Sequence, residues 1–340
     1  GITTAAGGES HRVVLVAALG GSALVCDVLD LLAEPGSPVP VATRRSAPLP
    51  GWVGPLDLVI AVSQSGRAAG PLALAAEAAR RGASLLTVGA ADSPLADVCA
   101  RARGVHVDVA LPTPSSRTAL WSLLTPVLLA ADALGLVDCP ASVLERVADV
   151  LDAVAEQCRP SSESFVNPAK VLALGLGATV PVVLGDGPLA GVAAKRAAAM
   201  LARTARVPAT HGALPDAASQ VVACLDGPFG SGPDDGPGAA ADDLFADPYL
   251  DGPPTQRLGL LALRDPDQTP DAVALADAVV ASARETGIPV FEQEARSGAP
   301  IERLASLVAL TDFMATYVAL GLGLDPSVSR HVTELRDRTS

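Results

Sequence analysis

A strand that runs into a helix through a short polar loop is the feature that most constrains this chain. Leu58 to Val62 is apolar and rich in β-branched residues, and an alanine-rich helical run follows the loop Ser63 to Gly66. This order is typical of a buried strand entering a helix in a parallel sheet. The loop places hydroxyls and backbone N–H groups at a helix start, where the helix dipole favours an anion. The stretch therefore predicts an anion site, most simply for phosphate.

The same alternation of strand and helix recurs along both halves of the chain. In the first half, the predicted strands are Val13 to Leu19, Val39 to Thr43, Leu56 to Val62, Ser84 to Val88 and Val105 to Ala110. In the second half, they are Val180 to Leu184, Val221 to Leu225, Leu258 to Leu263 and Pro289 to Glu292. Short connections between strands and helices predict an α/β fold with two doubly wound subdomains, each a mostly parallel sheet flanked by helices.

Breaker residues suggest where the halves divide. Pro160 to Glu163 is typical of a linker, so we predict one domain at residues 10–158 and another at residues 159–340. Gly227 to Pro254 is rich in Gly, Pro and Asp and predicts a long surface loop. The two halves suggest an internal duplication, although their residues match weakly.

Charge and hydropathy exclude several classes of partner. The net charge is −13 and no run of Lys or Arg occurs, so we expect no nucleic-acid partner. Mean hydropathy is +0.38, yet the uncharged segment Val171 to Gly185 is shorter than the roughly 20 residues of a membrane span. We interpret that segment as loop and buried strand. Gly1 to Ser10 lacks the regions of a signal peptide, so we predict a cytoplasmic protein without a membrane span.

Cysteine and histidine patterns predict neither disulfides nor metal. The five cysteines are widely spaced without a C-x-x-C pair, which favours buried free thiols in a reducing compartment. The four histidines lack metal-ligand spacing. Gly20 to Ser22 follows the first strand but lacks the G-x-G-x-x-G fingerprint of dinucleotide sites. We therefore predict no metal and no cofactor.

Two polar loops supply the candidate anion-binding residues. Their hydroxyls can donate hydrogen bonds without the desolvation cost of a charged group. The candidates are Gly21, Ser22, Ser63, Gln64, Ser65, Gly66 and Arg67. The alternative is that Ser63 and Ser65 merely cap the following helix, and the spacing alone leaves both interpretations open.

Several motifs make the chain resemble a sugar isomerase (SIS) domain protein, whose S-x-S-G loop holds the phosphate of a phosphosugar. The motifs are Val59 to Gly66, Arg81 to Ala83 and Ser93 to Ala96. Others narrow the resemblance to the bifunctional phosphoglucose/phosphomannose isomerase family. They are Gly20 to Ser22 with Asp27, Ser115 to Leu120, Leu310 to Asp312, Tyr317 to Leu320 and Gly323 to Pro326. The resemblance covers nearly the whole chain.

The resemblance implies isomerisation of glucose 6-phosphate or mannose 6-phosphate to fructose 6-phosphate. That reaction passes through an enediol and needs a carboxylate base and a ring-opening histidine. Arg117 matches the family arginine that stabilises the developing charge, the alternative being a surface arginine that caps a helix. The resemblance also implies a homodimer, for which the apolar helices at residues 117–136 and 301–321 could supply the interface.

Departures from the family put catalysis in doubt. Arg203 lies where the base glutamate is expected, and Ser219 lies where the histidine is expected. An arginine cannot act as a base near neutral pH because it stays protonated. Ala68 replaces a threonine of the loop, and Ala23 replaces a further glycine.

The sequence is compatible with two functions. His211, with Asp216 or Glu294, could replace the missing groups and keep the isomerase active; otherwise His211 is a loop histidine. The alternative function is a regulatory protein that binds a phosphosugar without turning it over. In that case Arg67 and Arg203 add positive charge for an anionic ligand.

Overall fold

Two compact units make up the chain in the computed structural model, which describes residues 11–109, 117–230 and 257–339. The units are Gly1–Arg146 and Val147–Ser340. The division falls inside the helix Ala141–Cys158, ahead of the predicted linker at Pro160 to Glu163. The boundary between residues 158 and 159 stays a prediction. Each unit contains one parallel sheet with helices, which confirms the predicted α/β fold.

The first unit contains a five-stranded parallel sheet in the order β2-β1-β3-β4-β5. Its strands are β1 (Val14–Ala18), β2 (Val41–Arg44), β3 (Leu58–Ser63), β4 (Ser84–Gly89) and β5 (Val105–Asp108). Its helices are α1 (Leu24–Ala33), α2 (Ala69–Arg80), α3 (Pro94–Arg101), α4 (Leu120–Ala133) and the start of α5 (Ala141–Cys158). Because β1 lies between β2 and β3, the direction in which the chain adds strands reverses there. The switch point of this sheet is therefore between β1 and β3.

Burial explains why the central strands are continuous apolar runs. Every residue of β1 and β3 is buried, as expected for strands that helices cover on both faces. The edge strands β2 and β5 are only half-buried and carry polar residues. One core cluster packs alternate residues of β1 and β3, such as Leu15 and Val59, against Leu74 of α2 and Leu95 of α3.

The second unit contains a four-stranded parallel sheet in the order β7-β6-β8-β9. Its strands are β6 (Val180–Gly185), β7 (Thr210–Ala213), β8 (Leu258–Arg264) and β9 (Val290–Glu294). Its helices, after α5, are α6 (Pro168–Leu176), α7 (Pro188–Met200), α8 (Ala218–Leu225), α9 (Pro270–Glu285), α10 (Pro300–Gly321) and α11 (Arg330–Thr339). A π-helical turn, Leu201–Ala205, follows α7. Here β6 lies between β7 and β8, so the switch point is between β6 and β8.

Three elements differ from the sequence-based expectations. Val221 to Leu225 belongs to the helix α8 and not to a strand: Val221 and Leu225, four positions apart, are buried on one face. Residues 171–176 form part of α6 and not a loop. The strand β7 is not predicted by the sequence, because Thr210–Ala213 contains a histidine and a glycine and lacks a continuous apolar run. The predicted surface loop Gly227 to Pro254 lies mostly outside the described residues.

The helix α10 is long and apolar enough to cross a membrane by length and composition alone. Within the fold, 61% of its most apolar window is buried, and it packs on α6 and α7. Such contacts are those of a core helix. It is the single helix in the described ranges that meets both criteria.

All five cysteines are free thiols, as predicted. Four of them are buried, and burial raises the pKa of Cys139 to about 11, so that thiol is unreactive at neutral pH. Cys224 is exposed, which corrects the expectation that all five are buried. It lies on α8, whose outer face meets solvent.

Candidate functional site

Two polar loops start from neighbouring strands at the switch point of the first unit. Ala18 at the end of β1 is the register partner of Val62 in β3, so both strands deliver their loops to the same edge. After β1 comes a 3-10 turn, Gly20–Ser22, and after β3 comes the segment Ser63 to Ala68. In open α/β sheets, ligands bind in the crevice at such a switch point, outside the carboxyl ends of the strands.

The loop after β3 is held by its own serines. The Gly66 N–H donates to the Ser63 carbonyl at 2.9 Å, and Gly66 has φ +63°. The Ser63 Oγ accepts from the Ala68 N–H at 3.4 Å, and the Ser65 Oγ accepts from the Arg67 N–H at 3.3 Å. Neither hydroxyl donates to any atom of the described residues; Ser65 is exposed, whereas Ser63 is 4% exposed.

The connection between β4 and α3 supports this loop from behind. The Ala90 N–H donates to the Gln64 carbonyl at 3.1 Å, and the Leu95 N–H donates to the Gly66 carbonyl at 3.2 Å. A Cβ atom on Gly66 would overlap the side chain of Ser93, which is 4% exposed and caps α3. Glycine is therefore required at position 66 both by the positive φ and by the close approach of Ser93.

The start of α2 lacks a side-chain cap. Ala68 occupies the N-cap position and has no side-chain hydrogen bond, whereas a serine or threonine there could satisfy a free N–H. The first N–H groups of a helix have no partner within the helix. Ser63 and Ser65 accept from Ala68 and Arg67, ahead of the first helical residue. The loop and the helix start together present hydrogen-bond donors. Capping by the two serines, the alternative interpretation, satisfies only the N–H groups of Ala68 and Arg67.

The remaining candidates of the first unit lie around the same edge. Ser22 is 4% exposed and Gly21 is half-buried in the 3-10 turn, which begins at Gly20 with φ +62°. Arg117 is half-buried, interacts with other residues, and precedes α4, which packs on this turn. The serines Ser115 and Ser116 lie outside the described residues. The roles of all these residues stay predictions.

The positions expected for catalysis belong to the second unit. Arg203 is half-buried in the π-helical turn, and Ser219 is exposed on α8. His211 is in β7, so its interpretation as a loop histidine is wrong; its side chain is exposed and interacts with other residues. Asp216 and Glu294 are both exposed. Neither Arg203 nor Ser219 supplies a carboxylate or an imidazole.

A buried charge cluster that the sequence did not predict lies at the second switch point. Asp186 follows β6 and accepts from the Asp265 N–H, which follows β8, at 3.0 and 3.1 Å. The Asp265 Oδ1 lies 2.8 Å from the Arg303 Nε of α10. Burial raises the pKa of Asp186 to about 6. An aspartate directly after a glycine-ended strand, as in Gly185-Asp186-Gly187, was the signal available in the sequence.

A bacterial family matches the second half of the chain. The family profile described as "Bacterial phospho-glucose isomerase C-terminal SIS domain" matches residues 165–339, just over half of the chain. The chain belongs to this family.

A relative matches in sequence over a longer span. The bifunctional phosphoglucose/phosphomannose isomerase of Caldicellulosiruptor bescii is 28% identical over 202 residues, which are 59% of this chain and 59% of that protein. The aligned part thus spans less than two thirds of that relative.

Solved structures share the fold of this family member. A hypothetical protein from Thermus thermophilus aligns with a TM-score of 0.70 at 14% identity, covering 99% of this chain and 86% of that one. The C-terminal domain of glucosamine-fructose-6-phosphate aminotransferase from Francisella tularensis aligns with a TM-score of 0.65 at 12% identity, covering 94% of this chain and 88% of that one. The tagatose-6-phosphate ketose/aldose isomerase of Escherichia coli aligns with a TM-score of 0.61 at 16% identity, covering 94% of this chain and 85% of that one. At these identities, the likeness establishes the SIS-type fold.

Proposed function

We propose that this protein binds a phosphorylated sugar at the switch point between β1 and β3. The observation that carries the proposal is the Ser63 to Gly66 loop, whose two hydroxyl protons have no acceptor among the described residues. The uncapped start of α2 adds the N–H groups of Ala69 and Gly70, since Pro71 has none, and the helix dipole, both of which favour a phosphate. We assign Gln64, Gly66 and Arg67 to the same site, together with Gly21 and Ser22, which follow the neighbouring strand β1.

The named relatives support a sugar phosphate over other anions. The relative from Caldicellulosiruptor bescii is named for isomerisation of phosphoglucose and phosphomannose, and the fold neighbour from Escherichia coli is named for tagatose 6-phosphate. Glucose 6-phosphate and mannose 6-phosphate are therefore the first ligands to test on this chain.

Isomerisation of such a ligand is the second question, and Arg203 and Ser219 argue against it. Proton transfer between C1 and C2 needs a base, and an arginine stays protonated near neutral pH. We propose that the protein binds the sugar phosphate with little or no conversion to fructose 6-phosphate. A coupled assay for fructose 6-phosphate tests this: turnover with either sugar phosphate would show an active isomerase, with Arg117 and His211 as the first residues to substitute.

Thermal stabilisation tests binding itself. Glucose 6-phosphate in excess should raise the melting temperature of the wild-type protein, because a ligand that binds only the folded state stabilises it. The Ser63→Ala/Ser65→Ala variant should lose that shift. Ser142→Ala, which removes an exposed hydroxyl on α5, serves as the matched control and should keep it. No shift of the wild-type protein with any sugar phosphate would overturn the proposal.

We further propose a homodimer in the cytoplasm. The helices suggested for the interface bury most of their apolar residues inside their own units, as in α4 and α10. An exposed apolar face at α6 is the better candidate for the interface. It consists of Phe165, Val166, Val171 and Leu174, of which Phe165 is 76% exposed. Light scattering should give the mass of a dimer, and Leu174→Asp should shift it toward the monomer; a wild-type monomer would contradict the proposal.

A further inference from the structure

Three exposed arginines lie at the edge of the sheet where the Ser63 to Gly66 loop emerges. Arg44 ends β2 and Arg45 follows it, while Arg67 lies in the loop after β3. The strands β2 and β3 flank β1 on either side, so the three arginines border the crevice of the first switch point. This concentration is unusual in a chain with 37 acidic and 24 basic residues.

These arginines have few acidic partners. Within residues 11–109, 117–230 and 257–339, no carboxylate lies within 4.0 Å of the Arg67 or Arg44 guanidinium. The Arg45 Nη2 lies 3.4 Å from the Asp27 Oδ1, a long contact. Several other arginines pair closely with a carboxylate, whereas Arg101 and Arg103 have no such partner among the described residues. Examples are Arg12 with Asp57, Arg80 and Arg81 with Glu77, and Arg264 and Arg284 with Glu292.

Backbone packing places Arg45 and Arg67 at the same helix start. A Cβ atom on Gly70 would overlap the Arg45 carbonyl oxygen, so the chain at Arg45 lies directly against the first turn of α2. Arg67 lies three positions before Gly70. The exposed acidic residues of this edge, Asp92 and Asp108, belong to the segments of β4 and β5 on the far side of β3. Among the described residues at the ends of β2, β1 and β3, the arginines therefore outnumber the exposed acidic side chains.

A single phosphate already finds donors in the serine loop and in the N–H groups of α2. Arg67 in that loop and Arg45, whose backbone lies against the first turn of α2, carry planar guanidinium forks that suit a carboxylate or a phosphate. Among the described residues Arg67 has no acidic partner, and the contact of Arg45 with Asp27 is long. A neutral sugar hydroxyl would leave most of this positive charge uncompensated. The surplus of positive charge on Arg45 and Arg67 thus indicates a second negative group on the ligand.

We infer that the ligand is a phosphorylated sugar derivative with a second anionic group, which Arg45 and Arg67 bind while the serine loop holds the phosphate. This inference rests on the proposed function, since it assigns the phosphate to Ser63 and Ser65. The second group is a carboxylate, as in a sugar-acid phosphate, or another phosphate, as in a sugar bisphosphate. Both present the same oxygen pair to a guanidinium.

Calorimetric titration with three probes tests the inference. The probes are glucose 6-phosphate with one anionic group, 6-phosphogluconate with an added carboxylate, and fructose 1,6-bisphosphate with an added phosphate. At least one of the doubly anionic probes should bind about threefold to tenfold more tightly than glucose 6-phosphate, as expected for one or two exposed charge pairs. The tighter of the two identifies the second group. The advantage should shrink as ionic strength rises.

Arginine variants locate the effect. Arg45→Ala should remove most of the advantage of the doubly anionic probe and leave glucose 6-phosphate binding within about twofold of wild type. Arg67 lies in the phosphate loop, so Arg67→Ala should weaken binding of both ligands and also reduce the difference between them. Arg101→Ala is the matched control, because Arg101 is an exposed arginine at the far end of α3; it should change neither affinity. Arg67→Lys should keep part of the tighter binding of the doubly anionic probe, since lysine keeps the positive charge but lacks the planar guanidinium group.

The outcomes separate this inference from the proposed function. If glucose 6-phosphate binds through Ser63 and Ser65 and neither doubly anionic probe binds more tightly, the second-anion inference is wrong and the proposed function stands. If an advantage persists in the Arg45→Ala/Arg67→Ala protein, the two arginines do not bind the second group and the inference is overturned. If no probe binds, both fail.

Discussion

The two switch points of this molecule share a topology and differ in chemistry. Each lies where a parallel sheet reverses the direction of strand addition, and each is followed by a helix start. At the first, Ser63, Ser65 and the uncapped α2 present hydrogen-bond donors without acceptors. At the second, Asp186 and Asp265 place carboxylates at the same location. Topology thus provides a crevice, and the residues directly after the strands decide whether an anion can enter it.

At the second switch point one arginine is shared between two aspartates. The Arg303 guanidinium lies between the buried Asp265, at 2.8 Å, and the exposed Asp267, at 3.3 Å, and it donates to the Gly298 carbonyl at 2.9 Å. Asp186 accepts the Asp265 N–H, which a phosphate would otherwise need. A phosphate there would face two carboxylates, so we expect this site to be structural.

Removing Arg303 should have the largest effect on stability. Arg303→Ala leaves Asp265 buried beside Asp186 without a counter-charge, which should lower the free energy of unfolding by about 3 kcal/mol in urea denaturation. Asp267→Asn is the matched control, because the side chain of Asp267 is 76% exposed and its pair should contribute less than about 1 kcal/mol. Similar losses of unfolding free energy in both variants would contradict a structural role for the buried Arg303–Asp265 pair.

A methyl group at Gly66 should disable the first switch point. Gly66→Ala forces a side chain into the left-handed region at φ +63° and against Ser93, so the free energy of unfolding should fall by about 2 kcal/mol. The loop must also shift, so binding of glucose 6-phosphate should be lost. Gly36→Ala is the control, since nothing lies within 4 Å of its added Cβ. A Gly66→Ala protein with wild-type affinity would show that the loop geometry is unimportant.

Asp186 should make stability depend on pH in a direction opposite to that of most carboxylates. Its pKa of about 6 in the folded protein exceeds the usual value of about 4, so the folded state binds the proton more tightly. Its contribution to stability is complete below pH about 4 and is lost as the pH rises through about 6. Asp186→Asn removes this loss and can keep the hydrogen bond from the Asp265 N–H.

The measurement for Asp186 is the free energy of unfolding of both proteins at acidic and neutral pH. The variant should gain stability relative to wild type on going from acid to neutral pH, by about 1 kcal/mol and at most about 3 kcal/mol. A difference in unfolding free energy between Asp186→Asn and wild type that is the same at both pH values would contradict a raised pKa of Asp186.

The sequence was informative where a local segment determines the structure. The strand Leu58–Ser63, its serine loop and the helix after it follow from apolar runs and breakers within one stretch. The cluster of the second switch point did not follow, because Asp186 and Asp265 are 79 positions apart and Asp265 and Arg303 are 38 apart. The strand prediction for Val221 to Leu225 is wrong because short apolar runs fit a strand or a buried helix equally well. The requirement for glycine at position 66 likewise depends on Ser93, which arrives from the next strand's loop.

The C-terminal family motifs also acquire physical roles only in three dimensions. Arg196 of α7, with 4% of its side chain exposed, pairs with Asp312 of α10 through contacts of 3.0 and 2.9 Å. The Tyr317 hydroxyl donates to the Cys158 carbonyl at 2.6 Å, and Lys170 lies over the Tyr317 ring. These motif residues hold α10 in the core of the second unit.

Hydrogen exchange in the presence of glucose 6-phosphate tests the difference between the switch points most directly. Bound ligand should slow amide exchange in the segment from Ser63 to Gly70, and the same concentration should leave the segment from Gly185 to Gly191 unchanged. The Ser63→Ala/Ser65→Ala protein should lose the protection. Protection that appears at Gly185 to Gly191 and not at Ser63 to Gly70 would contradict the assignment of the phosphate to the first switch point.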